Sequence, residues 1–271
     1  MKASLYWILT AALALPAAAD DGIADITIEG NQVHATLDLG AGIAADLTLT
    51  FEQVVGLTES SLGLSAELVN PLDQGILSRL PDPSQASIPA SFPVRLAIEP
   101  PAGGALTFSG VTQLELYTHN LSYGAGTPLR LVSAPLGGTF RDVSAYMGTG
   151  SYRVRGSQGG FSEFLIIADL RPSAAVIGDK FDHLDQLLAA HADAIEPQTL
   201  AELEQLFAAA EGAWLANDRV TAIDFIEEFT DVVSQHSGED IPDVWRATRD
   251  LTNIAGLLRA DAATLRFSLN L

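Results

Sequence analysis

The sequence predicts an α+β protein of two domains, an N-terminal antiparallel β-sandwich at residues 20–172 and a C-terminal antiparallel helical bundle at residues 173–271. In the first part, apolar and polar residues alternate in short segments that Gly, Pro and Asn separate, which is typical of sandwich strands. In the second part, apolar residues recur every three or four positions, as on helices that pack in a bundle. The chain has 271 residues, a length that suffices for two modest domains.

Residues 1–19 have the pattern of a secretory signal peptide. Lys2 gives a basic start, the apolar run that follows is too short to span a bilayer, and small residues precede Asp20. We therefore expect cleavage between Ala19 and Asp20 and export to the periplasm or the cell exterior. No later apolar run approaches the roughly 18 residues of a transmembrane helix, so we expect no membrane insertion of the mature chain.

Alternation predicts most strands of the first domain, and one further strand is apolar throughout. The alternating segments are residues 33–39, 47–51, 94–98, 114–117, 129–133 and 152–155, and the continuous apolar strand is 164–168. Residues 69–93 contain five prolines and interrupt this pattern. Asn70 and Pro71 predict a short helix that ends near Leu80, and we expect the rest to be a surface connection.

The spacing of apolar residues predicts four helices in the second domain. Pro197 is expected to begin the second helix, Gly238 to end the third, and Pro242 to begin the fourth. In residues 264–271 the apolar side chains alternate again. That alternation predicts a terminal strand that returns to the sheet of the first domain.

The composition excludes several classes of partner and site. The chain has 14 Lys and Arg residues against 34 Asp and Glu residues, a formal net charge of −20 that removal of Lys2 makes still more negative. Nucleic acids and anionic lipids need a basic surface, so neither is expected as a partner. Cysteine is absent, which excludes disulfides and thiolate sites. We expect no cofactor and no metal, although calcium-dependent adhesion through the acidic faces stays an alternative.

One histidine is a candidate for catalysis. His119 lies where a predicted strand enters a loop rich in Gly, Ser and Tyr, with the hydroxyls of Ser122 and Tyr123 nearby in sequence. A hydrolase that uses these three residues is the alternative to a structural histidine, which we favour because no nucleophile motif is present. The histidines show neither an HExxH motif nor an i, i+4 pair, and they are His34, His119, His183, His191 and His236.

Three arginines form a basic island in the glycine-rich segment 137–164, and they are candidate ligand-binding residues. Arg153 and Arg155 are two apart, on one face of a strand, and Arg141 precedes them. Guanidinium groups bind carboxylates, phosphates and sulfated sugars through paired hydrogen bonds. The favoured alternative is internal pairing of the arginines with Asp142, Glu163 or Asp169.

Two parts of the chain resemble known families. The helical part resembles the FIMAH-type module of secreted bacterial proteins at residues 203–207, 210, 214–218, 222–233 and 238–241. This resemblance implies an accessory module without catalytic residues. The segments 137–142, 150–156 and 159–164 are similar to those of uncharacterised exported proteins of proteobacteria, a similarity that implies export and a two-part layout.

These patterns favour an exported, non-enzymatic binding or assembly module. Its ligand is unknown, and its expected partner is a component of the cell envelope or the cell exterior. A hydrolase with a site near His119 and a calcium-dependent adhesion module are the alternatives.

Overall fold

The computed structural model describes residues 22–271, so the predicted signal peptide and its cleavage site between Ala19 and Asp20 lie outside the described residues. The described chain is a mixed α/β protein with antiparallel sheets and a C-terminal region of four long helices. Among the described residues, no helix is both long enough and apolar enough to cross a membrane.

The strands are β1 Ile23–Glu29, β2 Gln32–Asp38, β3 Ala44–Val55, β4 Leu64–Leu68, β5 Ala86–Ser87, β6 Val94–Ile98, β7 Thr107–Ser122, β8 Leu129–Ala134, β9 Arg141–Asp142, β10 Ser144–Gly148, β11 Ser151–Gln158, β12 Glu163–Asp169 and β13 Val244–Arg246. The helices are α1 Glu59–Leu62, α2 Gln74–Leu77, α3 Ser173–His191, α4 Pro197–Leu215, α5 Arg219–Gln235 and α6 Ile254–Leu269, with a 3₁₀ turn at Ala192–Ala194.

The strands form two antiparallel sheets. The first sheet has the order β1-β2-β3-β7-β11-β10, and β13 also pairs with β7. The second sheet has the order β4-β6-β12-β8-β9, and β5 pairs with β12. One hydrophobic cluster takes side chains from both sheets, among them Leu47 and Leu116 from the first and Leu96 and Phe164 from the second. Burial of these alternating side chains between the sheets is the main force that holds them together.

The second sheet is covered on its other face by the proline-rich segment. Leu165 and Ile167 of β12 belong to a separate cluster with Ile76 and Ile88 of that segment. Because both faces of β12 are buried, its sequence is apolar from Phe164 to Ala168. Residues 81–93, for which the sequence predicted a surface connection, therefore pack on the sheet through Ala86 and Ile88. The predicted short helix is present as α2, but it begins after Asp73, whose carboxylate caps it, and not after Asn70.

The four long helices share a further core. This core includes Phe181 of α3, Leu203 of α4, Ile226 of α5 and Leu258 of α6. Pro197 occupies the first turn of α4, as predicted, and Asp218 caps α5 through the Thr221 amide.

The predicted terminal strand at residues 264–271 is wrong, because residues 264–269 form the second half of α6. Leu265 and Leu269 are buried together with Leu258, at the spacing of one helix face. The prediction rested on the alternation of Leu265, Phe267, Leu269 and Leu271, but Leu271 is exposed. Residues four apart lie on one side of a strand and also on one face of a helix, so Leu265 and Leu269 fit both.

The fourth helix does not begin at Pro242. Residues 244–246 form β13, in which Trp245 stacks on Phe108 of β7 with ring centroids 5.4 Å apart. The helix begins instead at Ile254, where the side chain of Asn253 accepts a hydrogen bond from the Gly256 amide.

Helix α6 lies against the first sheet through specific polar contacts. Asn253 Nδ2 donates to the Gly110 carbonyl over 2.6 Å. Arg259 makes two hydrogen bonds of 2.7 and 2.8 Å to Glu52 of β3. A Cβ at Gly159 would lie 2.3 Å from the Leu257 amide nitrogen, so the close approach of the helix requires glycine there.

Candidate functional site

A cavity of about 200 Å³ lies where the second sheet meets α3 and α6. Pro81, Phe140 and Val176 give it an apolar wall. Its polar side chains include Arg141 of β9 and His183 of α3. An apolar cavity that also contains a few oriented polar groups is the usual form of a small-molecule site.

Lys180 and Asp142 form the polar floor of this cavity. The Lys180 side chain is only 7% exposed, and Nζ lies 3.0 Å from Asp142 Oδ2. Nζ donates to Thr264 Oγ1 over 2.6 Å, to Ser268 Oγ over 2.8 Å and to the Thr264 carbonyl over 3.2 Å. Burial lowers the pKa of Lys180, and the charge of Asp142 opposes that shift. Because three acceptors surround the ammonium group, we assign Lys180 a structural role.

Arg141, His183 and Asp261 form a second polar cluster in the same cavity, one residue each from β9, α3 and α6. The Asp261 side chain is 7% exposed, and its Oδ2 lies 2.5 Å from His183 Nδ1 and 3.3 Å from Arg141 Nη1. The same Nη1 contacts the His183 ring. The His183 ring therefore lies between the Asp261 carboxylate and the Arg141 guanidinium group. These contacts fix one nitrogen of the guanidinium group.

The rest of the Arg141 guanidinium has no protein partner in the described part of the chain. Every hydrogen bond that the Arg141 side chain makes within residues 22–271 uses Nη1. Its Nε and Nη2 donors are therefore available to a ligand. Arg171, which also lines the cavity, differs because its nitrogens bind Asp169 and Asp179.

Arg153 and Arg155 lie apart from this cluster and pair within the first sheet. Arg155 Nη2 donates to Glu115 Oε2 over 2.7 Å, and Arg153 Nε lies 3.7 Å from Glu115 Oε1. Each guanidinium also covers a tyrosine ring, Arg153 that of Tyr117 and Arg155 that of Tyr146. The structure therefore does not bring the three arginines of the basic island into one site.

The carboxylates named as pairing partners for that island contact other residues. Glu163 contacts Arg79 and Arg95, and Asp169 binds Arg171. Arg141 instead pairs with Asp261, so it links the sheet to a helix of the acidic C-terminal part.

His119 lies on the surface of β7, with 46% of its side chain exposed. Its Nε2 lies 3.0 Å from Asp46 Oδ2, and its ring packs edge-on against Tyr117. Within residues 22–271, none of the hydrogen bonds joins His119 to Ser122 or Tyr123. The structure therefore does not assemble these three residues.

Two other histidines contact single neighbouring side chains. His34 Nδ1 lies 3.3 Å from Thr48 Oγ1, and His236 Nδ1 lies 2.5 Å from Asp240 Oδ2. In the described residues, no group of three or more His, Asp or Glu side chains is arranged to hold a metal ion.

Lys180, His183 and Asp261 line the cavity but are not among the site residues predicted from the sequence. A usable signal was present for two of them. Lys180 is the only lysine after Lys2, and it lies on the apolar face of its helix between Ile177 and Leu184. Asp261 likewise lies between Leu258 and Leu265 on the buried face of α6. A charged residue on an apolar helix face indicates a buried partner.

Comparison with known proteins gives a family but no activity. No curated protein matches the chain. A sequence profile of a family of unknown function, DUF6689, matches residues 7–271. Since this match covers nearly the whole sequence, the chain belongs to the DUF6689 family of unknown function.

Proposed function

We propose that this protein is an exported, non-enzymatic binding or assembly module that acts in the periplasm or outside the cell, and that its ligand occupies the cavity between β9, α3 and α6. One observation carries the proposal. The cavity combines an apolar wall with a guanidinium group that is held at one nitrogen and free at the other two.

The state of the polar groups favours binding over catalysis. Lys180 Nζ is surrounded by acceptors, so it is not poised as a nucleophile. The His183 ring is hydrogen-bonded to Asp261 through Nδ1, and Arg141 Nη1 contacts both of its nitrogens. Among the described residues, no hydroxyl group makes a hydrogen bond to His183 that would form a catalytic triad.

The proposal includes the layout inferred from the sequence, a sandwich at residues 20–172 and a helical unit at residues 173–271. The two main hydrophobic clusters, one from the sheets and one from the helices, support this division. Export from a proteobacterial cell and a FIMAH-like nature of the helical unit rest on the sequence patterns alone. The partner we expect is a component of the envelope or the cell exterior.

A cavity-filling variant tests this proposal. Val176→Phe adds bulk to the apolar wall, and Val220→Phe is its matched control because Val220 is 70% exposed on α5. Thermal unfolding is measured with a panel of small acids, amines, amides and sugars. We expect at least one compound to raise the melting temperature of the wild type and of Val220→Phe but not that of Val176→Phe. A panel without such a compound contradicts the proposal.

A further inference from the structure

We infer that the cavity selects a small carboxylic acid with an apolar body, and that Nε and Nη2 of Arg141 bind its carboxylate through two parallel hydrogen bonds. This inference rests on the proposed function, since it requires the cavity to be the ligand site. It adds the chemical class of the ligand and the residue that selects it.

The Arg141 side chain is held in place before a ligand binds. Its Nη1 lies 3.3 Å from the buried carboxylate of Asp261 and contacts His183. Those contacts restrict the side chain and leave the Nε–Nη2 edge without a protein acceptor within the described residues. That edge presents two parallel N–H donors, the geometry that matches a carboxylate. Because the group is held before binding, little side-chain entropy is lost when the ligand binds.

The other cations around the cavity already have carboxylate partners. Lys180 faces Asp142, and Arg171 binds both Asp169 and Asp179. These cations are already paired, so Arg141 is the cavity cation with donors to spare. The net charge of −20 disfavours anions at long range, but salt screens such repulsion beyond about 10 Å at an ionic strength near 0.1 M. Local hydrogen bonds at Arg141 therefore decide which ligand binds.

The charge of the lining and the geometry of Arg141 favour a carboxylate over a phosphate. The carboxylates of Asp142, Asp179 and Asp261 all line the cavity. A doubly charged phosphate would be repelled by them more strongly than a singly charged carboxylate. Two donors on one guanidinium edge also match the two oxygens of a carboxylate.

The apolar wall and the volume of the cavity limit the polarity and the size of the ligand. Pro81, Phe140 and Val176 form the apolar wall beside Arg141, so the body of the ligand is expected to be apolar. The cavity volume of about 200 Å³ is below the range of drug-sized sites, which begins near 300 Å³. Short aliphatic acids and single-ring aromatic acids fit this description.

Calorimetry with matched acids and amides tests the inference on the full mature chain. The probes are butanoate, hexanoate, octanoate and benzoate, their primary amides, and inorganic phosphate. We expect at least one acid to bind the wild type about tenfold or more tighter than its amide, because a carboxylate accepts charge-assisted hydrogen bonds that are stronger than those of a neutral amide. Arg141→Gln should remove that difference in affinity. Arg141→Lys should remove most of it, because lysine lacks the two parallel N–H donors of the guanidinium group. The control Arg153→Gln should retain it.

A reagent that modifies arginine gives a second test on the unaltered protein. Phenylglyoxal is expected to modify Arg141, and the tightest acid should slow that modification while its amide does not. Mass spectrometry of the labelled peptides measures both rates, with exposed Arg153 as the internal reference. This test remains valid even where an Arg141 variant folds poorly.

The outcomes separate this inference from the proposed function. Equal binding of acid and amide, blocked by Val176→Phe, would keep the cavity as a ligand site and overturn the carboxylate inference. Tighter binding of phosphate than of every acid, or unchanged acid binding by Arg141→Gln, would also overturn it. A probe set in which Val176→Phe blocks no binding would contradict the proposed function as well.

Discussion

Lys180 Nζ of α3 lies 3.0 Å from Asp142 Oδ2 of β9, and this buried ion pair joins the helical part of the chain to the second sheet. Both side chains are shielded from water, with 7% and 1% of their surfaces exposed. Thr264 and Ser268 of α6 accept hydrogen bonds from the same ammonium group. Contacts of one ammonium group therefore join α3, β9 and α6 at the floor of the cavity.

Breaking this pair from one side should destabilise the fold strongly. We expect Lys180→Met to lower the free energy of unfolding by about 3–5 kcal/mol, because the buried Asp142 carboxylate then has only the more distant Arg130 guanidinium, at 4.0 Å, to balance its charge. Lys180→Met/Asp142→Asn should recover a large part of that loss. Urea denaturation measures all three proteins.

Arg246→Met is the control for this prediction, since Arg246 and Asp250 are paired at 3.5 Å but about half exposed. Its effect should stay below about 1 kcal/mol. An effect of Lys180→Met as small as that of the control would show that the pair does not join the elements.

Tyr152 should limit stability in alkaline solution. Its hydroxyl donates to the Leu129 carbonyl over 3.0 Å, and burial raises the pKa of the phenol well above its ordinary value. Above about pH 10 the unfolded state loses this proton while the folded state keeps it, so stability falls as the pH rises. The expected slope is up to about 1.4 kcal/mol per pH unit.

Tyr152→Phe should make the decline above about pH 10 shallower, after a constant loss of about 1 kcal/mol for the missing hydrogen bond. The control is Tyr146→Phe, because the Tyr146 side chain is exposed. Urea denaturation at several pH values between 8 and 11 compares the slopes. Equal slopes for wild type and Tyr152→Phe would contradict the assignment.

The approach of α6 to the sheet predicts opposite effects for two alanine substitutions. In Gly159→Ala the new Cβ meets the α6 backbone at Leu257, so we expect the free energy of unfolding to fall by about 1–3 kcal/mol. In Gly212→Ala the new Cβ meets open space in α4. We expect the free energy of unfolding to rise by about 0.4–1 kcal/mol, because alanine loses less backbone entropy than glycine on folding. Melting temperatures compare the two variants, and a neutral Gly159→Ala would contradict the close contact.

Amine labelling tests the export prediction. After cleavage before Asp20 the chain has two amines, its new α-amine and the buried Lys180. We therefore expect an amine-reactive ester to add one group to the folded protein from the periplasmic or secreted fraction and two to the unfolded protein. Mass spectrometry counts the groups. A chain that begins at Met1 in that fraction would contradict cleavage.

The sequence predicted several of the elements in which one face is buried. Alternation located segments such as residues 33–39 because their inward side chains fill the space between the sheets. It failed at residues 264–271, where Leu265 and Leu269 satisfy both a strand and a helix. The strand β13 was missed because three residues are too few to show a period.

The candidate site was predictable only in part. Arg141 was named because it lies in the basic island, but Arg153 and Arg155 pair with Glu115 in the sheet. The partners that give Arg141 its geometry, His183 and Asp261, come from distant positions that only the packing of α3 and α6 brings together. No local motif encodes such a meeting of three elements.

The central claim is that the free edge of Arg141 receives a carboxylate in the cavity, and the nuclear magnetic resonance of its Nε–H group tests this most directly. The signal is assigned by its absence in Arg141→Gln and followed while the tightest-binding acid of the calorimetric series, and separately its primary amide, is added to the mature protein. We predict a downfield shift of the Arg141 signal that saturates with the acid and is absent with the amide, while the Arg153 signal stays unchanged. An Arg141 signal that the acid leaves in place, or that both compounds move equally, would contradict the claim.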